Sequence, residues 1–251
     1  MSRPGALRRT GVIALVDLMD TLKPPGLDVL VVIVGSLASV LVVIQPFTSA
    51  SYMLSYALDP TLFAATIFLA LRGAAGITGM MENGLLQLLA SYPVNRLHLA
   101  IALYTSRVLV PSLVILGAPT IAVAIVMLPV AIGSPVEYLS TFLAYTVQAV
   151  MYGSFFMLIA LATRSPGTSG ILSVAFYFAY IVVASTLLYL LGRVTGSQIL
   201  VDLGTASYLP GVVVLYYGGG EIQPWQPLLV PLLALAAASS ALSYFTRRLE
   251  P

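Results

Sequence analysis

Residues Met81–Leu97 read MENGLLQLLASYPVNRL, the one stretch dense in polar residues between two long apolar runs. Apolar side chains at helical spacing form one stripe along it: Leu85, Leu88, Leu89 and Tyr92. Pro93 lacks an amide donor and ends the helix, while Asn95 can cap a second helix. The pattern predicts a short amphipathic helix over 82–92 between two membrane spans. An ordinary amphipathic loop would show the same pattern, so the stripe alone leaves its role open.

The composition is typical of a polytopic membrane protein. Hydrophobic residues make up 59% of the 251 and charged residues 8%, with a mean hydropathy of +1.01. A soluble domain carries roughly a quarter charged residues. The sequence has no cysteine, one histidine, no GxxxxGK[ST] motif and no Lys/Arg cluster. We therefore expect no catalytic residue, cofactor or metal site in this chain, and no nucleic-acid partner.

Apolar runs predict an all-α fold with six transmembrane helices, because a hydrocarbon core needs roughly 20 apolar residues. The spans cover about Leu27–Ser49, Pro60–Met80, part of Leu99–Val130, Val136–Thr163, Thr168–Leu191 and Pro227–Phe245. With no internal repeat, residues 1–251 are predicted to form a single transmembrane domain.

The segment 6–23 is predicted to be an amphipathic helix ahead of the spans. Its polar residues fall on one third of a helical wheel, with Ile13 as the apolar misfit: Arg9, Thr10, Asp17, Asp20 and Thr21. Such a helix lies in the membrane interface. The alternative is a soluble helix packed on a core.

Charges between the spans predict the orientation. With the N-terminus inside, nine of the eleven Lys and Arg residues lie on inner segments: Arg3, Arg8, Arg9, Lys23, Arg96, Arg107, Arg164, Arg247 and Arg248. The outer loops hold Arg193 and the acids Asp59, Glu137, Asp202 and Glu221. By the positive-inside rule, we expect a multi-pass protein of the cell (plasma) membrane with both termini and the 82–92 helix in the cytoplasm.

Residues 192–226 are predicted to form an outer, partly re-entrant segment. Its apolar part, SYLPGVVVLYYGGG at 207–220, is too short to cross a membrane. Aromatic residues suited to the membrane interface occur along it: Tyr208, Tyr216, Tyr217 and Trp225.

Three polar residues within spans are candidates for a translocation path or a helix interface. Arg72 costs about 2.5–3.5 kcal/mol if buried in the membrane; it would contact substrate or a partner chain, snorkel to the inner headgroups, or pair with Glu82. Gln45 and Gln148 would make interhelical hydrogen bonds. No acid is expected at mid-membrane, which argues against an ion-coupled transporter. Nearby glycines (Gly73, Gly76 and Gly79) would permit close helix approach.

The run from Glu82 to Arg96 resembles the segment after the second span of ABC type-2 transporter permeases. Those permeases read approximately as an acid, then Gly-x-Leu/Ile-x-x-Leu-Leu, then Pro-Val/Leu-Ser/Thr-Arg. The residues that match are Glu82, Gly84, Leu85, Leu88, Leu89, Pro93 and Arg96. Asn95 replaces the family's Ser or Thr, and Ala102-Leu103 stands where many members have Gly-Lys. The predicted topology is also similar to that of the family.

The resemblance implies the permease subunit of an ATP-driven exporter. Such a subunit pairs with itself or a similar chain, and each copy engages a separate ATP-binding cassette ATPase that holds the ATP and Mg. The helix over 82–92 would be the coupling helix, with Tyr92 completing its stripe and Glu82 and Arg96 flanking the contact. The chain itself would not be an enzyme. The alternatives are a secondary transporter or channel that does not use ATP, and a membrane scaffold or assembly protein.

Overall fold

The computed structural model describes residues 6–21, 26–44, 49–91, 95–163 and 165–248. Those residues are 91% helical and contain no strand, which confirms the predicted all-α class. In chain order the helices are α1 (Ala6–Thr21), α2 (Gly26–Ile44), α3 (Ala50–Glu82), α4 (Leu85–Ser91), α5 (Arg96–Val126), α6 (Leu128–Gly133), α7 (Pro135–Thr163), α8 (Pro166–Thr195), α9 (Gln198–Ala206), α10 (Leu209–Tyr217) and α11 (Gln226–Arg248). Apolar sequence favours helices because each one pairs its own backbone polar groups without water.

Five described helices are long and apolar enough to cross a membrane: α3, α5, α7, α8 and α11. They correspond to the second to sixth predicted spans. Helices α9 and α10 pass the same test together but are bent by 105°, as in a broken span or a re-entrant loop. The predicted first span is the shorter apolar helix α2, and positions 45–48 of that span lie outside the described residues. Five or six helices are thus suited to span a membrane, and the assignment of the first span stays a prediction.

Helix α3 begins at Ala50, well before the predicted start at Pro60. Two caps explain the earlier start: the Ser49 hydroxyl accepts the N–H of Tyr52 at 3.3 Å, and the Glu137 carboxylate accepts the N–H of Ser51 at 2.7 Å. An acidic group at a helix N-terminus also stabilises the helix dipole. The predicted outer loop at Asp59 is therefore wrong, because Asp59 lies on α3.

Helix α7 is the centre of the bundle and packs against α3, α5, α8, α10 and α11. It buries large side chains such as Tyr145, Tyr152 and Phe156. Gly153 lets α5 approach, since a Cβ there would lie 2.5 Å from Cγ1 of Val108. Helix α8 is the opposite case: 11% of its most apolar window is buried, against 61% for α7. Most apolar side chains of α8 therefore point away from the bundle.

Two π-helical segments meet where α3 and α5 cross. Leu69–Ala74 widens α3 and Thr105–Leu109 widens α5; the second segment comes just before Pro111, which cannot donate a helical hydrogen bond. Nη1 of Arg107 donates to the backbone oxygen of Arg72 at 3.1 Å. The Arg107 side chain, on the π-helical segment of α5, thus pairs a backbone oxygen on the π-helical segment of α3. Such pairing is needed because a π-helical turn interrupts the regular backbone hydrogen bonds of a helix.

Arg107 is the buried arginine of the described chain, at 5% exposed. Its Nη2 donates to Oδ1 of Asp17 at 2.6 Å, its Nε donates to both carboxylate oxygens, and Ser106 donates to Oδ2. Asp17 is 6% exposed, so the pair is shielded from solvent on both sides. Arg107 lies on α5 and not in a loop between spans; its place on the inner side of the membrane stays a prediction.

The ion pair explains how α1 faces the bundle. An interfacial helix ordinarily turns its charged face to water, but Asp17 and Thr21 of α1 are buried, while Val16 and Met19 are 63% and 67% exposed. Ile13, the misfit on the polar side of the wheel, packs against the core. The side of α1 that carries Asp17 and Thr21 therefore faces the bundle, whereas Val16 and Met19 face outward and Asp20 is exposed. Residues 22 and 23 of the predicted helix lie outside the described part, and its location at a membrane interface stays a prediction.

Gly76 provides the space that Arg107 occupies. A Cβ at Gly76 would lie 1.9 Å from Nη1 of Arg107, and one at Gly73 would lie 3.1 Å from the backbone oxygen of Arg107. At Gly79 the nearest atom would be Cγ of Pro166, at an ordinary 3.9 Å. The predicted close approach at this glycine series is therefore confirmed at Gly73 and Gly76, where the neighbour is an arginine.

We expect Gly76→Ala to destabilise the protein by about 1–3 kcal/mol, because the added methyl displaces a guanidinium held by Asp17. Gly79→Ala is the matched control on the same helix; it is expected to be neutral or slightly stabilising because alanine favours helix. Thermal unfolding in detergent, followed by circular dichroism, compares the two variants. Equal melting temperatures would contradict the packing around Arg107.

Removal of one partner of the ion pair should cost about 3–5 kcal/mol, because the other charge is left buried and unpaired. We expect Asp17→Leu and Arg107→Met each to unfold at a lower denaturant concentration, and the double variant to recover much of the loss. Asp20→Leu, at an exposed position of α1, is the control and should change little. Additive losses in the double variant would show that the pair does not hold α1.

Candidate functional site

The α3–α4 corner contains the motif that resembles the permease family. Helix α3 ends at Glu82, and Gly84 takes a φ of 70°, a left-handed conformation that glycine adopts without strain. Helix α4 follows at Leu85–Ser91, and Asn95 caps α5 by accepting the N–H of Leu97 at 3.0 Å. Tyr92 and Pro93 lie outside the described residues. The glycine of the motif thus has a structural role: it turns α4 away from the end of α3.

The leucines of α4 divide into an attached pair and an exposed pair. Leu86 is 2% exposed, and Leu89 is half-buried against the core. Leu85 and Leu88 are 41% and 56% exposed. The sequence stripe assigned Leu89 to the same side as Leu88 and omitted Leu86. The structure instead anchors α4 through Leu86 and Leu89 and leaves Leu85 and Leu88 exposed.

Charged residues flank this corner. Glu82 is exposed and Arg96, in the first turn of α5, is half-buried.

Arg72, ten residues before Glu82 on α3, is also exposed. Its Nη2 would lie 3.6 Å from a Cβ built on Gly26 at the start of α2. Among the described residues the one ion pair joins Asp17 to Arg107, so the pairing of Arg72 with Glu82 that was left open is not formed.

A second polar site surrounds the apex of the bent pair, at Ser207–Leu209. The Gln148 side-chain oxygen accepts the N–H of Leu209 at 3.1 Å, and the Tyr180 hydroxyl donates to the oxygen of Ser207 at 2.9 Å. Gln148 lies near the middle of α7 and Tyr180 near the middle of α8. The apex therefore reaches half the length of the bundle, and its irregular backbone is satisfied by side chains, as is needed at membrane depth. Gln148 thus makes an interhelical hydrogen bond, as predicted, from α7 to the start of α10. Gln45 lies outside the described residues.

Asp59 joins the apex to α3. Its Oδ1 accepts the hydroxyl of Tyr145 at 2.5 Å and also the hydroxyl of Tyr208. Tyr208, which was predicted to anchor at the membrane interface, thus points into the bundle. Asp59 is an acid on a helix suited to cross a membrane, nine residues after its start at Ala50; the expectation that no acid lies at mid-membrane stays a prediction.

A polar cavity of about 470 Å³ is lined in part by Tyr208. Residues from α8, α9 and the segment before α11 line it with groups of both signs, including Tyr189, Arg193, Asp202 and Glu221. Arg193 stacks over the Tyr189 ring at 5.3 Å and binds its hydroxyl at 3.0 Å. Tyr208 thus both lines this cavity and donates to Asp59. No group of three or more potential metal ligands occurs among the described residues.

Sequence reasoning missed Asp59, Tyr145 and the Asp17–Arg107 pair. The signal for Arg107 was its place eight residues into an apolar run that starts at Leu99. The signal for Asp59 was the helical spacing of the aromatic residues around it. Arg107 and Asp59 were missed because charged residues were assigned to the segments between spans.

Replacement of Gln148 by methionine should leave the N–H of Leu209 unpaired, which costs about 1–3 kcal/mol. We expect faster hydrogen–deuterium exchange at Ser207–Leu209, measured by mass spectrometry in nanodiscs. Gln198→Met on α9 is the control, because Gln198 is exposed and its side chain bonds Asp202 on its own helix rather than the apex. Unchanged protection of the apex in Gln148→Met would contradict the assigned hydrogen bond.

Comparison of the sequence with models of known protein families finds no match, and comparison with curated proteins finds none either. The resemblance to ABC type-2 permeases therefore depends on the residues from Glu82 to Arg96 and on the order of the helices. The function that follows from these two features is therefore a proposal.

Proposed function

We propose that this chain is the membrane-spanning permease subunit of an ATP-binding cassette exporter. A separate ATPase subunit binds ATP and Mg, and the permease alternates between inward- and outward-facing states to move its substrate. The observation that carries the proposal is the exposed pair Leu85 and Leu88 on a short helix fixed between two membrane-span candidates. Apolar side chains exposed beside Glu82 and Gln87 favour a protein partner over lipid.

The geometry of α4 suits transmission of movement. A two-residue turn joins α4 to α3, and Leu86 and Leu89 pack it against the bundle. Beyond the corner, Arg107 joins α5 to α3 through Arg72 and joins α5 to α1 through Asp17. A push on α4 would therefore move α1, α3 and α5 together, which is the rigid-body shift that a two-state transporter needs.

In this proposal the α4 end of the bundle faces the cytoplasm of the cell, and the bent pair opens toward the outer side. A second copy or a similar chain completes the transporter. The outward-facing apolar side chains of α8 and α1 are available for lipid or for that second chain.

A cation- or proton-coupled carrier is the second candidate function, and one observation favours it. Asp59 is an acid on a helix suited to span the membrane, as coupling sites of such carriers usually are. An exporter of this class needs an ATPase and a coupled carrier does not, so a test for a bound ATPase separates the two functions.

Leu88→Asp is expected to weaken ATPase binding at least tenfold, because a buried leucine contact becomes a desolvated charge. Gln87→Asp is the control: it introduces the same residue at the exposed position before Leu88, where it replaces a polar side chain, and should retain binding. The measurement is co-purification of an ATPase from native membranes with the tagged chain, together with size-exclusion profiles of each variant. Leu89→Asp is less informative, since Leu89 packs against the core.

Loss of the ATPase from Leu88→Asp alone supports the coupling contact. If no ATPase co-purifies with the unmodified chain, the exporter proposal fails and the coupled carrier takes its place. Equal recovery with Leu88→Asp and the unmodified chain would place the ATPase contact elsewhere and contradict the role of α4.

A further inference from the structure

One face of α3 carries aromatic rings on both sides of a carboxylate. Tyr52, Tyr56, Asp59 and Phe63 follow each other at intervals of four, three and four residues, which places them on one face of a helix. The three rings are 50%, 43% and 45% exposed, and Asp59 is exposed as well. Tyr52, Asp59 and Phe63 are therefore accessible on this face rather than packed in the core.

Asp59 has one occupied and one free oxygen. Tyr145 and Tyr208 both donate to Oδ1, and in the described part of the chain Oδ2 has no hydrogen-bond partner. Asp59 also has no ion-pair partner there, since the one pair joins Asp17 to Arg107. The two tyrosines fix the carboxylate on the bundle and leave its second oxygen for a positively charged group.

The depth of Asp59 argues against exposure to lipid. It lies nine residues after Ala50, about 14 Å along the helix axis, and it contacts Tyr145, ten residues into α7. It also contacts Tyr208 at the apex, which reaches the middle of the bundle. A charged side chain turned to hydrocarbon at that depth costs about 2.5–3.5 kcal/mol. This face therefore borders a path or a binding site.

Neighbouring helices extend the aromatic face. The ring of Phe63 lies 5.9 Å from that of Tyr177 and 6.2 Å from that of Phe178, and Phe178 on α8 is 50% exposed. At the other end, a Cβ built on Gly218 would lie 3.6 Å from Cε2 of Tyr52. Aromatic groups of α3 and α8 thus flank one free carboxylate oxygen.

We propose that this face binds a lipophilic organic cation, such as a quaternary ammonium, a phosphonium or a protonated amine with apolar substituents, as the transported substrate. The assignment of a transported substrate rests on the proposed exporter function. Aromatic faces attract cations through their quadrupole, the carboxylate adds a charge partner, and the rings cover the apolar substituents. Neutral lipids and anions lack the charge that Oδ2 can bind.

The test uses tetraphenylphosphonium and tetraphenylborate, which have similar size and opposite charge. Equilibrium dialysis measures their binding to the full chain in nanodiscs, without ATP and after subtraction of binding to empty nanodiscs. We expect saturable binding of the phosphonium to the protein and none of the borate. Asp59→Asn should weaken phosphonium binding at least tenfold, since the amide still accepts from both tyrosines but carries no charge. Phe63→Leu should weaken it about threefold or more.

Asp28→Asn, which removes an exposed acid at the start of α2, is the matched control and should bind as the unmodified chain does. Equal binding of phosphonium and borate, or unchanged binding by Asp59→Asn, would overturn the proposal. Because the assay contains neither ATP nor ATPase, its outcome is independent of the co-purification experiment. Phosphonium binding without an ATPase partner would keep the cation site and reject the exporter.

Discussion

The buried ion pair between Asp17 and Arg107 is the interaction on which the arrangement of α1, α3 and α5 depends. An unpaired charge in an apolar interior is strongly unfavourable, so the carboxylate of α1 must lie where the guanidinium of α5 lies. That requirement turns the side of α1 that carries Asp17 and Thr21 toward the bundle. It also requires glycine at position 76, where any side chain would meet Arg107.

Unpaired backbone polar groups are also unfavourable in an apolar interior, and this constraint applies where the helices are irregular. The widened turn of α3 offers the oxygen of Arg72 to Arg107, and the apex of the bent pair is satisfied by Gln148 and Tyr180. Most serines and threonines of the bundle instead bond a carbonyl three or four residues earlier in their own helix, as Thr61 and Ser112 do. The side chains that reach irregular backbone are Arg107, Gln148 and Tyr180.

The sequence predicted what depends on local pattern. The ends of α7 agree to within one residue with the predicted fourth span, because a long apolar run between Pro135 and Arg164 defines it. The start of α3 was missed because the cap from Glu137 comes from 86 residues away. The orientation of α1 was missed for the same reason, as Arg107 lies 90 residues after Asp17. Helix wheels separate polar from apolar sides but do not say which side meets the protein. At the α3–α4 corner, the sequence predicted a short helix but began it at Glu82, which is the last residue of α3. The turn at Gly84 and the division of the leucines were missed, because both depend on how α4 packs against the bundle.

Helix α3 connects the two candidate sites. Asp59 and Glu82 are 23 residues apart, about 35 Å along a helix, and the π-helical segment Leu69–Ala74 lies between them. That segment is where Arg107 links α3 to α5 and, through Asp17, to α1. Helices change register or direction most readily at such widened turns. In the proposed transporter, a push on Leu85 and Leu88 therefore reaches the aromatic face through the π-helical segment. Because Asp59 accepts the Tyr208 hydroxyl, movement of α3 would also move the apex of the bent pair and the lining of the polar cavity at Tyr208.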